Sequence, residues 1–246
     1  MVLAQNTIVQ LGSTPVLLPF NMRNIDSLFP GFMAGDFTVI YGLPHVLTLS
    51  LLLAVRAQLP CQLGGLESSV VFVDGGNTFR LYKVSRLARL HHLRPRDVLR
   101  RIFISRAFTM HQMTSIILDG LEEATKRHDA KLVIISDFQG LYLDKDIPPE
   151  ESKEVFSQVT AYISEFSRKT GTIVLATCPP HCYSIRSAFL QSVACARSNV
   201  TISITKKPSY PFGKQFALEK HPAFKLGRVD FPSENLTLND FVKGGQ

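Results

Sequence analysis

Two short stretches hold residue types that do chemistry by position. The first is Gly42-Leu43-Pro44-His45-Val46-Leu47-Thr48-Leu49, which follows the apolar run Phe37–Tyr41 and opens an apolar stretch long enough for a helix. A strand, a glycine turn and a helix start in that order bind phosphate, because the free N–H groups of the helix's first turn point at the anion. The pattern that does so is G-x-x-x-x-G-K-[ST]. Here its second glycine is Leu47, its lysine is Thr48 and its magnesium-binding hydroxyl is Leu49. Leucine lacks the backbone freedom of glycine, and no lysine is left to meet the β- and γ-phosphates. His45 is the one group in the turn able to carry positive charge, and a lone histidine beside a turn is usually incidental. The second stretch is Cys178-Pro179-Pro180-His181-Cys182, three soft ligands within five residues. A zinc site takes a second ligand pair at matching spacing, and the remaining cysteines, Cys61 and Cys195, do not supply one. Reduced thiols and no metal are the expectation.

A third feature is charge. Between Arg80 and Arg106 stand Arg80, Lys83, Arg86, Arg89, Arg94, Arg96, Arg100, Arg101 and Arg106, against Asp97 alone. That local charge of +8 compares with +7 for the whole chain, so the remainder is close to neutral. In the predicted helix Leu81–His91, the residues Leu81, Val84, Leu87, Ala88 and His91 share one face, and Lys83, Arg86 and Arg89 point elsewhere. Such a face is either solvated or an electrostatic seat for nucleic-acid phosphate or an acidic partner. Arginine suits phosphate through its bidentate fork. Aromatic groups are sparse there (Phe79, Tyr82, Phe103), so base stacking is not expected.

The elements that must position these groups are legible from patterning. Short Val- and Ile-rich runs at Phe37–Tyr41, Val70–Val73, Ile102–Ser105, Leu132–Ile135, Ile173–Ala176 and Val200–Thr205 predict strands buried on both faces. Helix-length stretches at Leu47–Gln58, Leu81–His91, Met113–His128 and Glu151–Thr170 alternate with them, as in βαβ units. From Val200 onward the pattern predicts a hairpin: strand, a Pro208-Ser209-Tyr210-Pro211 turn, then Gln215–Leu218 and Arg228–Phe231. The 246 residues, 45% hydrophobic and 19% charged, suffice for one large core and exclude a disordered tail or a disulfide-stapled miniprotein. No apolar run approaches the roughly 18 residues of a membrane span. A soluble, cytoplasmic protein is expected.

The blocks around these motifs resemble one family. Ile25-Asp26-Ser27-Leu28-Phe29-Pro30-Gly31 and Gly35-Asp36-Phe37-Thr38-Val39-Ile40-Tyr41-Gly42 look like the approach to the P-loop strand in RecA/RadA-type recombinases, most closely the archaeal RadA branch and its short paralogues. Ala54-Val55-Arg56-Ala57-Gln58-Leu59-Pro60 is similar to that family's AxxAQLP helix end. Val71–Asp74 through Asn77-Thr78-Phe79-Arg80 is similar to its FIDTENTFR segment. Arg106-Ala107-Phe108-Thr109 with His111-Gln112-Met113 is similar to RAFNxxHQM. Lys131–Asp137 looks like the Walker B strand with its aspartate, and Lys206-Lys207 with His221-Pro222 resemble the terminal hairpin. The blocks keep the family's order across residues 22–231. The resemblance implies a single RecA-like P-loop NTPase core over 1–246: an α/β fold, mostly parallel sheet flanked by helices, ending in an antiparallel hairpin.

The departures carry as much as the matches. By the resemblance, Gly42, His45, Thr48, Leu49, Gly76 and Asp137 mark the nucleotide site. Yet the glutamate that would activate water is Gly76, the lysine and hydroxyl are Thr48 and Leu49, and the Asn-Gln γ-phosphate sensor is Cys178-Pro179. Only Asp137 is kept. Phosphoryl transfer rests on positioning and charge stabilisation, so these separated losses imply a pseudo-ATPase with no ATP or magnesium cofactor. Asp137 then reads as a strand-end carboxylate held by nearby backbone. Only about 21 residues precede the matching core, too few for the family's N-terminal helical domain, and Pro179–Ser187 is short for its second DNA-binding loop. A smaller basic set near that loop, Arg186, Arg197, Lys206 and Lys207, with Tyr183 and Phe189, is placed for single-stranded DNA. Three functions follow: a non-catalytic recombinase paralogue whose partners are the active recombinase, another paralogue or the DNA phosphate backbone; a regulator that binds ATP without hydrolysing it; or an active NTPase with an unorthodox loop, which Thr48 opposes.

Overall fold

Burial explains the composition of the Val- and Ile-rich runs. In a computed structural model that describes residues 17–207 and 213–231, all six are strands, five of them buried over most of their length; the sixth, Ile102–Arg106, is the sheet edge, and its Ile104 is 41% exposed, so the expected burial on both faces fails there. They are β1 (Phe37–Gly42), β2 (Ser69–Asp74), β3 (Ile102–Arg106), β4 (Ala130–Ser136), β5 (Ile173–Cys178) and β6 (Val200–Lys206). With β7 (Lys214–Lys220) and β8 (Gly227–Phe231) they make one sheet of order β3-β2-β4-β5-β1-β6-β7-β8. The first six run parallel; β7 is antiparallel to β6, and β8 to β7. The expected C-terminal hairpin is therefore present. Its predicted turn at 208–211 lies outside the described residues.

Alternate residues on β1, β2, β4 and β5 feed two cores. Val70 and Phe72 face one, packed under the one-turn α1 (Arg23–Asp26), α2 (His45–Arg56), α3 (Leu81–Leu90) and α4 (Pro95–Arg100). Val71 and Val73 face the other, under α5 (Met110–Ser115), α6 (Leu121–Arg127), α7 (Pro149–Thr170) and α8 (Ile185–Arg197). Because β1 lies between β5 and β6 while β2 is two strands beyond β5, the chain reverses direction across the sheet at β1. Crevices of α/β sheets open at the carboxyl ends beside such a switch point. Gly42, Asp137 and Cys178 all stand at that edge.

Four local outcomes differ from the pattern-based expectation. α2 starts at His45, not Leu47. The single helix expected over Met113–His128 is α5 and α6 joined by a π-type turn at Ile116–Gly120. α4, a six-residue helix half of whose residues are charged and with proline in its first turn, has too little apolar periodicity to announce itself. α8 follows a proline-rich loop and is started by a reciprocal cap: Ser184 Oγ accepts from Ser187 N, and Ser187 Oγ accepts from Ser184 N, each at 3.0 Å.

The segment before β1 is held by one buried cation. Arg56, at the end of α2, is 2% exposed. Its Nε donates to Pro19 O at 2.7 Å; its guanidinium also reaches Leu63 O and Gly64 O at 3.5 Å and His91 Nε2 at 3.3 Å. Burial lowers the Arg56 pKa to about 10 and raises that of nearby Asp26 to about 6, with Arg56's charge pulling back against the latter. Burial likewise pushes His91 down to about 4. Phe20, Phe29 and Phe32 then pack edge-on, with centroids 4.9 to 6.0 Å apart, and Phe20 meets Phe216 of β7 at 5.8 Å. Among the described residues no helix is long and apolar enough to cross a membrane.

Candidate functional site

The turn after β1 is tight. Gly42 has φ of +107°, and a side chain there would collide with the carbonyl of Ile204 on β6, so only glycine fits. α2 begins three residues later. Three of the amides that a phosphate loop leaves free are engaged here: Leu43 N donates to Ile204 O at 2.8 Å, Val46 N to Leu43 O and Leu47 N to Pro44 O, both at 3.1 Å; Pro44 has no N–H. His45 turns away toward the hairpin; its Nε2 accepts from Lys214 Nζ at 3.0 Å and its ring meets Phe231 edge-on. Leu49 is fully buried in the core. Thr48 is half-buried and accepts a 3.0 Å bond from Lys83 Nζ on α3, so a lysine from another element touches the residue at the pattern's lysine position. Nothing in the spacing at Gly42–Leu49 announced that Lys83 contact.

The remaining site residues meet at the ends of β2, β4 and β5. Asp74 is fully buried and shapes the turn after β2, accepting from Thr78 N at 2.7 Å, Thr78 Oγ1 at 3.1 Å and Arg106 Nε at 3.3 Å. Asp137, in the left-handed region with φ of +52°, folds its carboxylate over Gly76. A Cβ on Gly76 would lie 2.8 Å from Asp137 Cβ and closer still to Oδ2; one on Gly140 would lie 2.7 Å from Oδ2. Gly76 and Asp137, two separate readings in the sequence, are thus one packing unit. The expected backbone partner of the Asp137 carboxylate is corrected. Its Oδ1 accepts instead from His181 Nε2 at 2.7 Å, a side chain the sequence offered only as a metal ligand. That hydrogen bond raises the His181 pKa above its ordinary 6.5, against the opposing effect of burial. Cys178 is buried, Cys182 exposed, and all four cysteines are free thiols. Among the described residues no group of three or more His, Cys, Asp or Glu is gathered for a metal ion.

The basic segment is largely exposed. Val84, Leu87 and Ala88 bury the inner side of α3, whereas Leu81, expected with them, is exposed. Lys83, Arg86, Arg89, Arg94, Arg96 and Arg100 are exposed on α3, α4 and the link between them; Arg94 pairs with Asp97 at 2.5 Å. Arg101 lies back on Glu67 O at 2.8 Å. The smaller set does not assemble. Arg186 is a structural pin whose Nη1 donates to Asp144 O and Ile147 O at 3.0 and 3.1 Å and whose Nε donates to Ser152 Oγ at 3.3 Å. Arg197 ends α8 at the amino edge of the sheet, just before β6 starts at Val200. Lys206 and Lys207 stand at the opposite, carboxyl end of β6, with Lys207 paired to Asp230 at 2.6 Å. Spacing along the chain could not reveal that α8 carries these residues to opposite edges.

Comparison with known proteins completes the site. The chain is 37% identical over 113 residues to the DNA repair and recombination protein RadA of Aeropyrum pernix; the match covers 46% of this chain and 32% of that protein. The Rad51 family profile matches residues 16–145, from the segment before β1 to the loop after β4. An eight-stranded, mostly parallel α/β sheet with an antiparallel C-terminal pair is what a RecA-like core requires. The chain therefore belongs to the Rad51 family of recombination and DNA repair proteins, with a RecA-type fold.

Proposed function

We propose that this chain is a non-catalytic, RadA-like accessory of homologous recombination, which regulates or supports the process by binding the active recombinase, DNA, or both, in the cytoplasm at the nucleoid. The observation that carries the reading is the turn at Gly42–Leu47, where the amides of Leu43, Val46 and Leu47 are spent on Ile204 O, Leu43 O and Pro44 O rather than left for phosphate. The fold of Asp137 over Gly76 supports it, since the position of the water-activating glutamate is filled by a neighbour's carboxylate. Phosphoryl transfer needs its lysine, metal and water-orienting group in place together. The exposed basic face on α3 and α4 supplies a seat for phosphate backbone or for an acidic partner. A second reading, a regulator that binds ATP without hydrolysing it, draws on Lys83, whose ammonium stands at Thr48 and is chemically able to meet a phosphate.

One reconstitution separates the readings. The purified chain is mixed with ATP and magnesium, with and without single-stranded DNA, and then with the RadA-type recombinase of the same cell. Background hydrolysis and co-elution with the recombinase are expected, through an interface of at least about 1,000 Å². Turnover that disappears in Asp137→Ala overturns the non-catalytic reading. Saturable ATP binding that is lost in Lys83→Ala moves the function to the sensor.

A further inference from the structure

On the α8 side of the carboxyl edge lies a cavity of about 510 Å³ between α8, the loop after β5, and β1, β6 and β7. Tyr41, Gln139, His181, Tyr183, Cys195 and Glu219 set its chemistry. Gln139 is 3% exposed, yet its carbonyl Oε1 has no hydrogen-bond partner. An unpaired buried acceptor is costly, and native proteins seldom leave one without a donor. Glu219 stands across the same cavity, its Oε2 accepting from the Tyr41 hydroxyl and its Oε1 from Ser203 Oγ, both at 2.7 Å. A carboxylate has lone pairs beyond those two bonds.

Among the described residues that line the cavity, Glu219 is the one carboxylate and His181 the one basic group. Among the described residues that line it there is no lysine or arginine. The imidazole of His181 faces its own counter-charge, Asp137, at 2.7 Å. Groups that become anionic are held neutral: burial raises the Tyr41 phenol, with the Glu219 hydrogen bond and charge adding to it, and burial with the Glu219 charge pushes Cys195 up to about 11. Cys178 is raised well above the ordinary thiol by burial first, then by the charges of Cys195 and Asp137. A carboxylate and an unpartnered carbonyl oxygen, with no lysine or arginine among the described lining residues, suit a cation better than a phosphate. The Tyr183 ring, 91% exposed at the rim, offers a π-face of the kind that covers guanidinium and ammonium groups.

We infer that this cavity binds an organic cation, a guanidinium or primary ammonium head on an apolar stem, whose N–H donors are accepted by Gln139 Oε1 and the Glu219 carboxylate while Tyr183 lies over it. The chemistry is shared by a free small amine and by an arginine or lysine side chain of a partner protein. The inference is independent of whether the chain binds or hydrolyses ATP. To test it, the full chain is titrated calorimetrically with agmatine and, separately, with the blocked tripeptide acetyl-Gly-Arg-Gly-amide, with inorganic phosphate as the opposite charge. Saturable binding of agmatine or the tripeptide is expected, at least tenfold weaker in Glu219→Gln and in Gln139→Leu, with no phosphate binding that competes. Tighter binding of the tripeptide assigns the head to a partner protein, and tighter binding of agmatine to a free amine. Should Glu219→Gln fail to fold, Gln139→Leu decides alone, since it removes an unpaired group rather than a bonded one. No saturation with either cation up to about 10 mM, weaker than ordinary specific affinities, overturns the inference. So does unchanged affinity in a variant that melts like the parent chain.

Discussion

Placing a glutamate at position 76 is the direct test of the proposed non-catalytic reading, and the structure gives a reason for the variant to be unstable. Gly76 has an unremarkable φ, so the cost of a side chain there is steric rather than conformational. Any Cβ falls 2.8 Å from Asp137 Cβ and closer to Oδ2, and Asp137 cannot give way without leaving His181 Nε2 at 2.7 Å. Overpacking costs about 1–3 kcal/mol, and a part-exposed hydrogen bond lost adds about 1 kcal/mol. Gly76→Glu should therefore destabilise by about 2–4 kcal/mol, which in a chain of this size lowers the melting temperature by roughly 5–15 °C. Gly76→Ala shares the Cβ and should carry most of the loss. Combining Gly76→Glu with Asp137→Gly should recover part of it, a coupling that two independent sites would not show. Thermal melts of the parent, Gly76→Glu, Gly76→Ala, Asp137→Gly and the double variant, with ATP turnover read in parallel, check this. A Gly76→Ala melt within about 1 °C of the parent, or additive effects in the double variant, would refute the packing argument.

Two further outcomes are expected. If the α3–α4 face meets nucleic acid, changing Arg86, Arg89 and Arg96 to Glu should weaken binding alike for all sequences and flatten the salt dependence of log K by about 0.7–0.9 per lost phosphate contact; fluorescence anisotropy across a salt series checks it, and unchanged affinity returns the face to solvent. His181 has its folded pKa raised above the unfolded 6.5 by Asp137, so its contribution is complete below about pH 6.5 and fades as pH rises through the raised value. His181→Gln should therefore cost more stability at about pH 6 than at about pH 9 in urea unfolding, and equal costs would break the assignment.

What the chain made legible, and what it did not, follows from the range of the forces involved. The β-strand runs were readable because burial on both faces leaves a local mark in Val and Ile content, as at Val70–Val73 and Leu132–Ile135. Hydrophobic period located α3 but misplaced Leu81, whose packing depends on what lies above it. The start of α2 at His45 was not readable: it turns on Leu43 N reaching Ile204 O, a bond between residues far apart in sequence. Likewise Gly76 looked like a simple loss until Asp137 was found lying over it. Residues chosen for charge fared worst when only neighbourhood along the chain joined them, since α8 sends Arg186 and Arg197 to different edges.

The guanidinium of Arg56 has a consequence for how the molecule opens. It binds carbonyls or nitrogens from three chain segments, at Pro19, at Leu63 and Gly64, and at His91. Releasing any one strands a buried charge, so the segment from Leu18 to Phe32 has no inexpensive way to peel off by itself. Segments near a chain's beginning ordinarily exchange their amide protons through local fraying. Here the amides of Leu18 and Phe32, bonded to each other's carbonyls, belong to the same cooperative unit as the central strands. Their protons should then leave with the opening of the sheet itself, which would make this segment a reporter of global unfolding.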